Sequence, residues 1–431
     1  MIYVGLGALI LFAVAFSSYE RKAWGSGKTP FAFTAYPLIL MLAVTVFVAP
    51  AFGFVTIHSG VILVYGLLLA LMAGTSVAMR NVAGNAASQA PVLETSGPTS
   101  SNTWPGRVSA VEYIGLALLL VGMFLPSLLG GGSQTVEKGE LGIGGIGGHV
   151  IELGIAYMLI ALCQSRGQTT VRLAFVGLVL WLLAVNQVKY LILLPLAAAL
   201  LYRWLSGLMA TWRIALLAAV LPLAIVTVVY TYFDLAATAS GLALTPALVK
   251  ELAKHMLAYL VSGTIGLSEL LSRATPSAFG TSGLEYAFAP FINLAKFAIG
   301  SDHYVDVLNP RFFIIDRDGV LDTNVYTLFG SLLYRAGWIG GIGLMLSYSA
   351  FSYWLWSRWR TKLSHLSGAA GAWWMTPLLF SWFDPFVVHL SVIEIMAFLW
   401  VRARLGRGVV LSRRQSGHGV PIASPQRGAG S

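Results

Sequence analysis

Two arginines, three acids, an amide and a phenol fall within one short run, Arg311-Phe312-Phe313-Ile314-Ile315-Asp316-Arg317-Asp318-Gly319-Val320-Leu321-Asp322-Thr323-Asn324-Val325-Tyr326-Thr327. Soon after it, Arg335 is carried by an otherwise apolar stretch, just before the turn-like Ala336-Gly337-Trp338-Ile339-Gly340-Gly341. A guanidinium offers two parallel donors that match two oxygens of a phosphate. An arginine set so deep faces a polar cavity or pairs with an internal acid; Glu394 and Asp384 are the candidates for such a pair. Asp384, His389 and Glu394 themselves share the last apolar run and read first as structural pairs.

Other charges belong to the same inventory. Lys189 lies between two apolar runs in Asn186-Gln187-Val188-Lys189-Tyr190, where it either snorkels to the interface or holds an anion such as a lipid-linked phosphate. Lys250, Lys254 and His255 lie on roughly one face of a helix that also contains Glu251, either a solvated stripe or a substrate cradle. Glu269 follows the small, apolar segment Ser262-Gly263-Thr264-Ile265-Gly266-Leu267-Ser268. Two motifs read as decoys. Gly25-Ser26-Gly27-Lys28-Thr29 ends like a phosphate loop but has Lys22 where the pattern needs glycine, and no strand precedes it. Asp316-Arg317-Asp318 has the acid-x-acid form that can hold a divalent metal, yet in a polar loop such a triplet is chiefly a turn.

The elements that must position these groups follow from composition. Of 431 residues, 57% are apolar and 10% charged, and the mean hydropathy is +0.78. A soluble domain carries about 25% charged residues, so the +10 net charge does not mark a nucleic-acid binder. The single cysteine, Cys163, excludes an intrachain disulfide and a multi-thiolate metal site. The expected fold is an all-α polytopic integral membrane protein of about 11 transmembrane helices, since about 30 Å of hydrocarbon needs about 20 apolar residues. The runs lie near 1–18, 31–50, 57–79, 109–130, 148–164, 173–188, 190–206, 212–233, 326–356 with a break near Gly337, 366–383 and 386–402. Assigning the connections to alternate sides puts 18 of the 27 Lys and Arg on one face, including six tail arginines from Arg402 to Arg427. By the positive-inside rule that face is cytoplasmic, which sets the N-terminus out and the C-terminus in. Spans one to eight thus occupy 1–233 with a flexible cytoplasmic loop at 80–108, spans nine to eleven occupy 326–402, and 403–431 forms a disordered basic tail on an anionic leaflet. Between them, 234–325 holds nine of the 17 acids, six bases and many aromatics, and reads as one large extracytoplasmic or re-entrant segment.

The run Thr323-Asn324-Val325-Tyr326-Thr327-Leu328-Phe329, followed by Gly337-Trp338-Ile339-Gly340, resembles the Asn-Val-Tyr-Thr segment of the bacterial oligosaccharide repeat-unit polymerases of the Wzy type. Gln187-Val188-Lys189 and Tyr259-Leu260-Val261-Ser262-Gly263, leading to Ser268-Glu269, are further points of likeness in the same order. The chain departs at Arg335-Ala336-Gly337, where that family often has Asp-Phe-Gly, so no acid role carries over there. The resemblance implies a multi-pass enzyme of the bacterial inner membrane. It would transfer a growing glycan from polyprenyl diphosphate to the next lipid-linked oligosaccharide, beside membrane lipids and a chain-length regulator, with no cofactor, no metal and no nucleic acid. Under that reading Lys189, Arg311 and Arg335 take the diphosphate, Asp322 or Glu269 is the base, and Asn324 and Tyr326 position sugar or hold the loop. The rivals are a lipid-linked glycan ligase, a metal-using polyprenyl-phosphate glycosyltransferase employing Asp316 and Asp318, and, from another class, a polysaccharide flippase. Internal repeats would favour a flippase, and the chain shows no convincing one.

Overall fold

A computed structural model describes residues 1–83, 108–129, 146–164, 169–185, 189–210, 213, 246–273, 279–280, 283–301, 303–307, 309–361 and 365–415. The described residues are mostly helical. Near the N-terminus, α1 (Ile2–Trp24) stops at Gly25, which takes the left-handed φ of 66° that a glycine tolerates, with Arg21 and Lys22 in the last turn facing the negative helix end. Helix α2 (Pro30–Phe47) starts on Thr29, whose hydroxyl accepts from Ala32 N, with proline at the first position. The phosphate-loop look-alike is therefore a helix stop followed by a helix cap. Lys28 is used there as well, donating to the Trp204 carbonyl at 3.4 Å and lying over the Trp204 ring.

After α3 (Gly60–Ala83) and α4 (Ala110–Leu129) come α5 (Ile146–Cys163), α6 (Thr169–Val185) and α7 (Lys189–Leu205). The segment 234–325 contains α8 (Pro246–Arg273), α9 (Glu285–Ala298) and a small antiparallel hairpin, β1 (Phe313–Ile314) with β2 (Asp322–Thr323). The chain ends in α10 (Leu328–Thr361), α11 (His365–Leu379) and α12 (Leu390–Gln415). Among the described residues four helices are long and apolar enough to cross a membrane: Ile2–Trp24, Pro30–Phe47, Gly60–Val82 and Ile146–Cys163. Ala110–Phe124, Thr169–Ala184 and Tyr190–Leu205 are shorter apolar helices. Apolar side chains such as Val4, Leu11, Leu63, Val111 and Leu118 point outward from them, as a lipid solvent permits. The expected span at 212–233, except Arg213, lies outside the described residues, as do 84–107 and 416–431. Helix α12 continues to Gln415, past the last apolar run and into the basic tail segment.

Helices α2 and α3 pack with α10, which α1 meets through Trp24 and Tyr353; α4 to α7 pack together, with α5 against α12, and α11 lies between the two groups, touching α2, α5, α7 and α12. One end of the bundle gathers the basic helix ends. Arg203 donates to the Leu162 carbonyl at 3.0 Å, Arg172 to the Gln164 carbonyl at 3.1 Å, and Arg402 meets Glu112 at 3.1 Å. Elsewhere the starts of α3 and α10 meet α8 and the hairpin, and the starts of α5, α7 and α12 meet around residues 386–394. The candidate chemistry lies in these two neighbourhoods.

Candidate functional site

The hairpin is held as a lid by one acid. Asp316 Oδ1 accepts from Val320 N and Leu321 N at 3.0 and 2.9 Å across a turn in which Gly319 has φ 71°, and Oδ2 accepts from Lys254 Nζ at 2.8 Å. Lys254 also reaches Asp318 at 2.9 Å. Backbone bonds from Arg317 N to the Gly53 carbonyl and from Val55 N to the Ile315 carbonyl sew the lid to the α2–α3 connection. Burial raises the affinity of Asp316 for a proton, but the Lys254 and backbone N–H bonds outweigh it and hold the carboxyl below its ordinary range. The two carboxylates hold the Lys254 ammonium more strongly charged than usual. Asp316 and Asp318 thus already share a cation, the ammonium of α8, where the acid-x-acid reading would put a metal.

Helix α8 meets the segment that enters α10 with almost no space between backbones. A side chain on Gly266 would place Cβ 2.1 Å from the Val325 carbonyl oxygen, and one on Gly263 would place it 2.3 Å from that of Trp382. Two stretches noted separately in the sequence, Tyr259–Glu269 and Thr323–Tyr326, are therefore one packed unit. Its polar groups face inward. Asn324 donates to the Asn309 carbonyl at 3.1 Å, and Asn309 donates to the Asn324 carbonyl at 2.9 Å and to Ser331 at 3.0 Å. Tyr326 is buried and donates to the Arg311 carbonyl at 2.5 Å. Both residues hold the loop in this state. Glu269 is engaged by Arg273 at 2.7 Å, one helical turn on, and the Arg273 guanidinium lies 5.8 Å from the Phe313 ring centre. Asp322 and Arg311 are exposed on the lid. Among the described residues no ion pair engages Asp322.

Arg335 is only 5% exposed and is the one charged residue of α10 before Arg358. Helix α10 breaks two residues later at Gly337, with φ 73° and ψ 176°, as expected from the glycine-rich turn. The break frees the Tyr334 carbonyl, which accepts from Gly280 N at 2.8 Å, while the Gly280 backbone fills the space beside Gly337. The guanidinium lies 5.4 Å from the Tyr286 ring centre and 4.0 Å from Asp306, a mostly exposed acid. Asn293 fixes the segment bearing Asp306 by donating to the Val305 carbonyl and accepting from its N–H. The sequence candidates for pairing with Arg335 are instead held by histidines: Asp384 by His389 at 3.4 Å and Glu394 by His149 at 2.7 Å. Lys189 begins α7, but its side chain lies outside the described residues.

Helix α9 runs from Tyr286 at Arg335 to Phe297, whose ring packs on His149 at 5.1 Å. The rise of 1.5 Å per residue puts these contacts roughly 16 Å apart. At the far contact His149, Glu152 and Glu394 converge, with one ligand atom from each lying within 4.8 Å of the others. Tyr190 stacks on Phe386 and abuts His389 close by. His149, Glu152 and Tyr190 were not candidates in the sequence. The signal for Glu152 was present, as a lone acid within the apolar run 148–164.

Fold and site together describe a helical protein with membrane-spanning apolar helices and buried charges near one loop-rich face. Residues 111–409 match the model of a family of unknown function, DUF6337, and the chain belongs to that family. No curated protein and no solved structure matches it.

Proposed function

We propose that this chain is a polyprenyl-diphosphate-linked oligosaccharide polymerase of the Wzy type, working on the outer face of a bacterial inner membrane. The observation that carries the reading is Arg335, a buried cation at the break of an apolar helix, 4.0 Å from the mostly exposed Asp306. A lipid-anchored diphosphate accounts for a phosphate-matching fork at that depth, since its tail stays in lipid and its charge needs a fixed, water-poor counter-charge. In the transfer an acceptor hydroxyl oxygen bonds to the anomeric carbon of the donor glycan. The bond from that carbon to the diphosphate oxygen breaks, and the acceptor proton passes to a carboxylate. Of the two candidate bases Asp322 is favoured, because Arg273 occupies Glu269. Arg335 and Arg311 hold the departing polyprenyl diphosphate, with Lys189 a further candidate. Asn324 and Tyr326 act by holding the lid's entry into α10.

The eleven-span, N-out frame is supported by the meeting of Arg172, Arg203 and Arg402 with partners at connections that the charge count assigns to the cytoplasm. The metal-using transferase reading has less support, because Lys254 lies between Asp316 and Asp318.

Deleting the gene and resolving surface glycan by length tests the class. A polymerase leaves material capped at one repeat unit. Complete loss of surface glycan with carrier-linked units trapped inside overturns the reading in favour of a flippase, and full-length polymer left on its carrier does so in favour of a ligase. For the site, Arg335→Ala should lower polymer formation by about 100-fold or more, the scale of losing one charge-stabilising donor, at unchanged membrane abundance. Normal chain lengths in that variant reject the assignment.

A further inference from the structure

Two buried carboxylates in one cluster of membrane helices need positive charge, and His149 can supply at most one unit. Glu152 is 7% exposed, and among the described residues its Oε2 atom has no hydrogen-bond partner, although its carboxylate faces Glu394 and His149. The Glu394 side chain is 12% exposed and meets His149 Nδ1 at 2.7 Å. Among the described residues no lysine or arginine pairs with either acid. An uncompensated buried carboxylate costs several kcal/mol, by the scale of about 3–5 kcal/mol for breaking a buried ion pair. Two buried acids held so close share either a proton or a cation.

We propose that His149, Glu152 and Glu394 form a binding site for one divalent transition-metal ion of the zinc or manganese kind, joining the outer ends of α5 and α12. The donor set selects the class: one imidazole nitrogen with two carboxylate oxygens suits zinc, manganese or ferrous iron better than magnesium or calcium, which prefer all-oxygen shells. The charge balances, since a dication neutralises both carboxylates and leaves His149 neutral as a ligand must be. The spacing fits. Bonds of about 2.0–2.2 Å in tetrahedral array put ligand atoms roughly 3.3 Å apart, between the 2.7 Å of the His149–Glu394 pair and the 4.8 Å bound on the whole set. Side-chain rotation alone closes the difference. The spacing on α5 places His149 and Glu152 one turn apart on one face, the geometry by which a single helix gives two ligands. The His149 side chain, 27% exposed beside Phe297, gives the ion a way in. Three protein ligands leave coordination positions for water, so the site could orient a hydroxyl as well as staple the helices.

The site is independent of the glycosyl-transfer reading, and its test uses metal alone. Full-length protein, purified in detergent and stripped with a chelator, is titrated with Zn²⁺ and with Mn²⁺, and bound metal is measured by elemental analysis after dialysis. The expected result is about one ion per chain and a rise in thermal midpoint on binding. Glu152→Gln and His149→Gln should each weaken binding by about 100-fold or more, because even second-shell losses cost about 10–100-fold. Asp318→Asn, at the other paired acids, should bind as the native chain does. A native chain that takes up neither ion at millimolar concentration, as expected if the two glutamates share a proton instead, overturns the proposal. So does metal retained by all three of Glu152→Gln, Glu394→Gln and His149→Gln in folded, monodisperse preparations. Loss of binding in Asp318→Asn with retention in Glu152→Gln would move the ion to the lid and overturn it equally.

Discussion

Glu20 and Glu152 are both buried glutamates in long apolar helices, and the bundle treats them in opposite ways. Glu20, near the end of α1, is fully buried and accepts from the hydroxyls of Thr29, Ser76 (2.6 Å) and Tyr353 (2.5 Å). Those donors are tied in turn, Ser76 by Trp24 Nε1 at 3.0 Å and Tyr353 by Phe31 N at 3.2 Å. Four helices thus meet on one satisfied carboxylate. Glu152, on α5, faces a second acid and has an oxygen that no described residue meets. A charged group in a low-dielectric interior strengthens a structure when its lone pairs are filled and weakens it when they are not. Glu20 therefore belongs to the scaffold, and Glu152 to a site that is kept at the scaffold's expense.

The largest effect is expected at Glu20. Glu20→Leu leaves three hydroxyl donors buried without their acceptor, at about 1–3 kcal/mol each, so the thermal midpoint in detergent should fall by an amount equivalent to at least about 3 kcal/mol. A midpoint equal to the native one would remove the structural role. Glu152→Leu should have the opposite sign. In metal-free protein it relieves an unpaired acid and leaves stability unchanged or raised by about 1–2 kcal/mol, as when buried ions give way to apolar groups; a loss of several kcal/mol would show that Glu152 is satisfied after all.

Asp316 supplies an intermediate case, an acid outside the helices that is satisfied by a lysine and two backbone amides. Its folded pKa is below the ordinary 3.8, so the stability it lends the lid is present above pH 3.8 and is lost as pH falls through the folded value. The Lys254 pKa is raised above 10.5, so its share persists below that pH and is lost as pH rises through the folded value. Hydrogen-exchange protection of the Val320 and Leu321 amides should thus hold from mildly acidic to mildly alkaline pH and drop on the acid side, and Asp316→Asn should flatten that acid limb. The smallest effect belongs to Arg402 and Glu112, a pair whose acid is 36% exposed. Glu112→Gln should cost no more than about 1 kcal/mol, and a larger loss would place that pair with Glu20 instead of with surface ion pairs.

Much of the fold was legible. Apolar runs marked the described helices other than α8 and α9, and the glycine cluster after Arg335 announced the break in α10, because φ near +73° is open to glycine and strained for other residues. The site was legible only in part. Asp384, His389 and Glu394 read as structural pairs, and two of them do pair with histidines. Their partners were not readable, since His149 and Glu394 are separated by 245 positions. Nor was the use of Lys254, one of several charges on an apparently solvated stripe, which turns out to lock Asp316 and Asp318. The glycines at 263 and 266 looked like a small-residue segment, and their need for absent side chains appears only when the Val325 and Trp382 carbonyls are set against them.

What the amino-acid sequence determined alone is the solvent and the element type. With one residue in ten charged, the chain cannot satisfy an aqueous surface, and in lipid its backbone must bond within helices. Which buried charges are scaffold and which are site was decided only by tertiary structure. Hydrogen-bond satisfaction depends on how each helix is rotated and what stands opposite, as when Tyr353 reaches Glu20 across 333 positions of chain while nothing described reaches Glu152 Oε2.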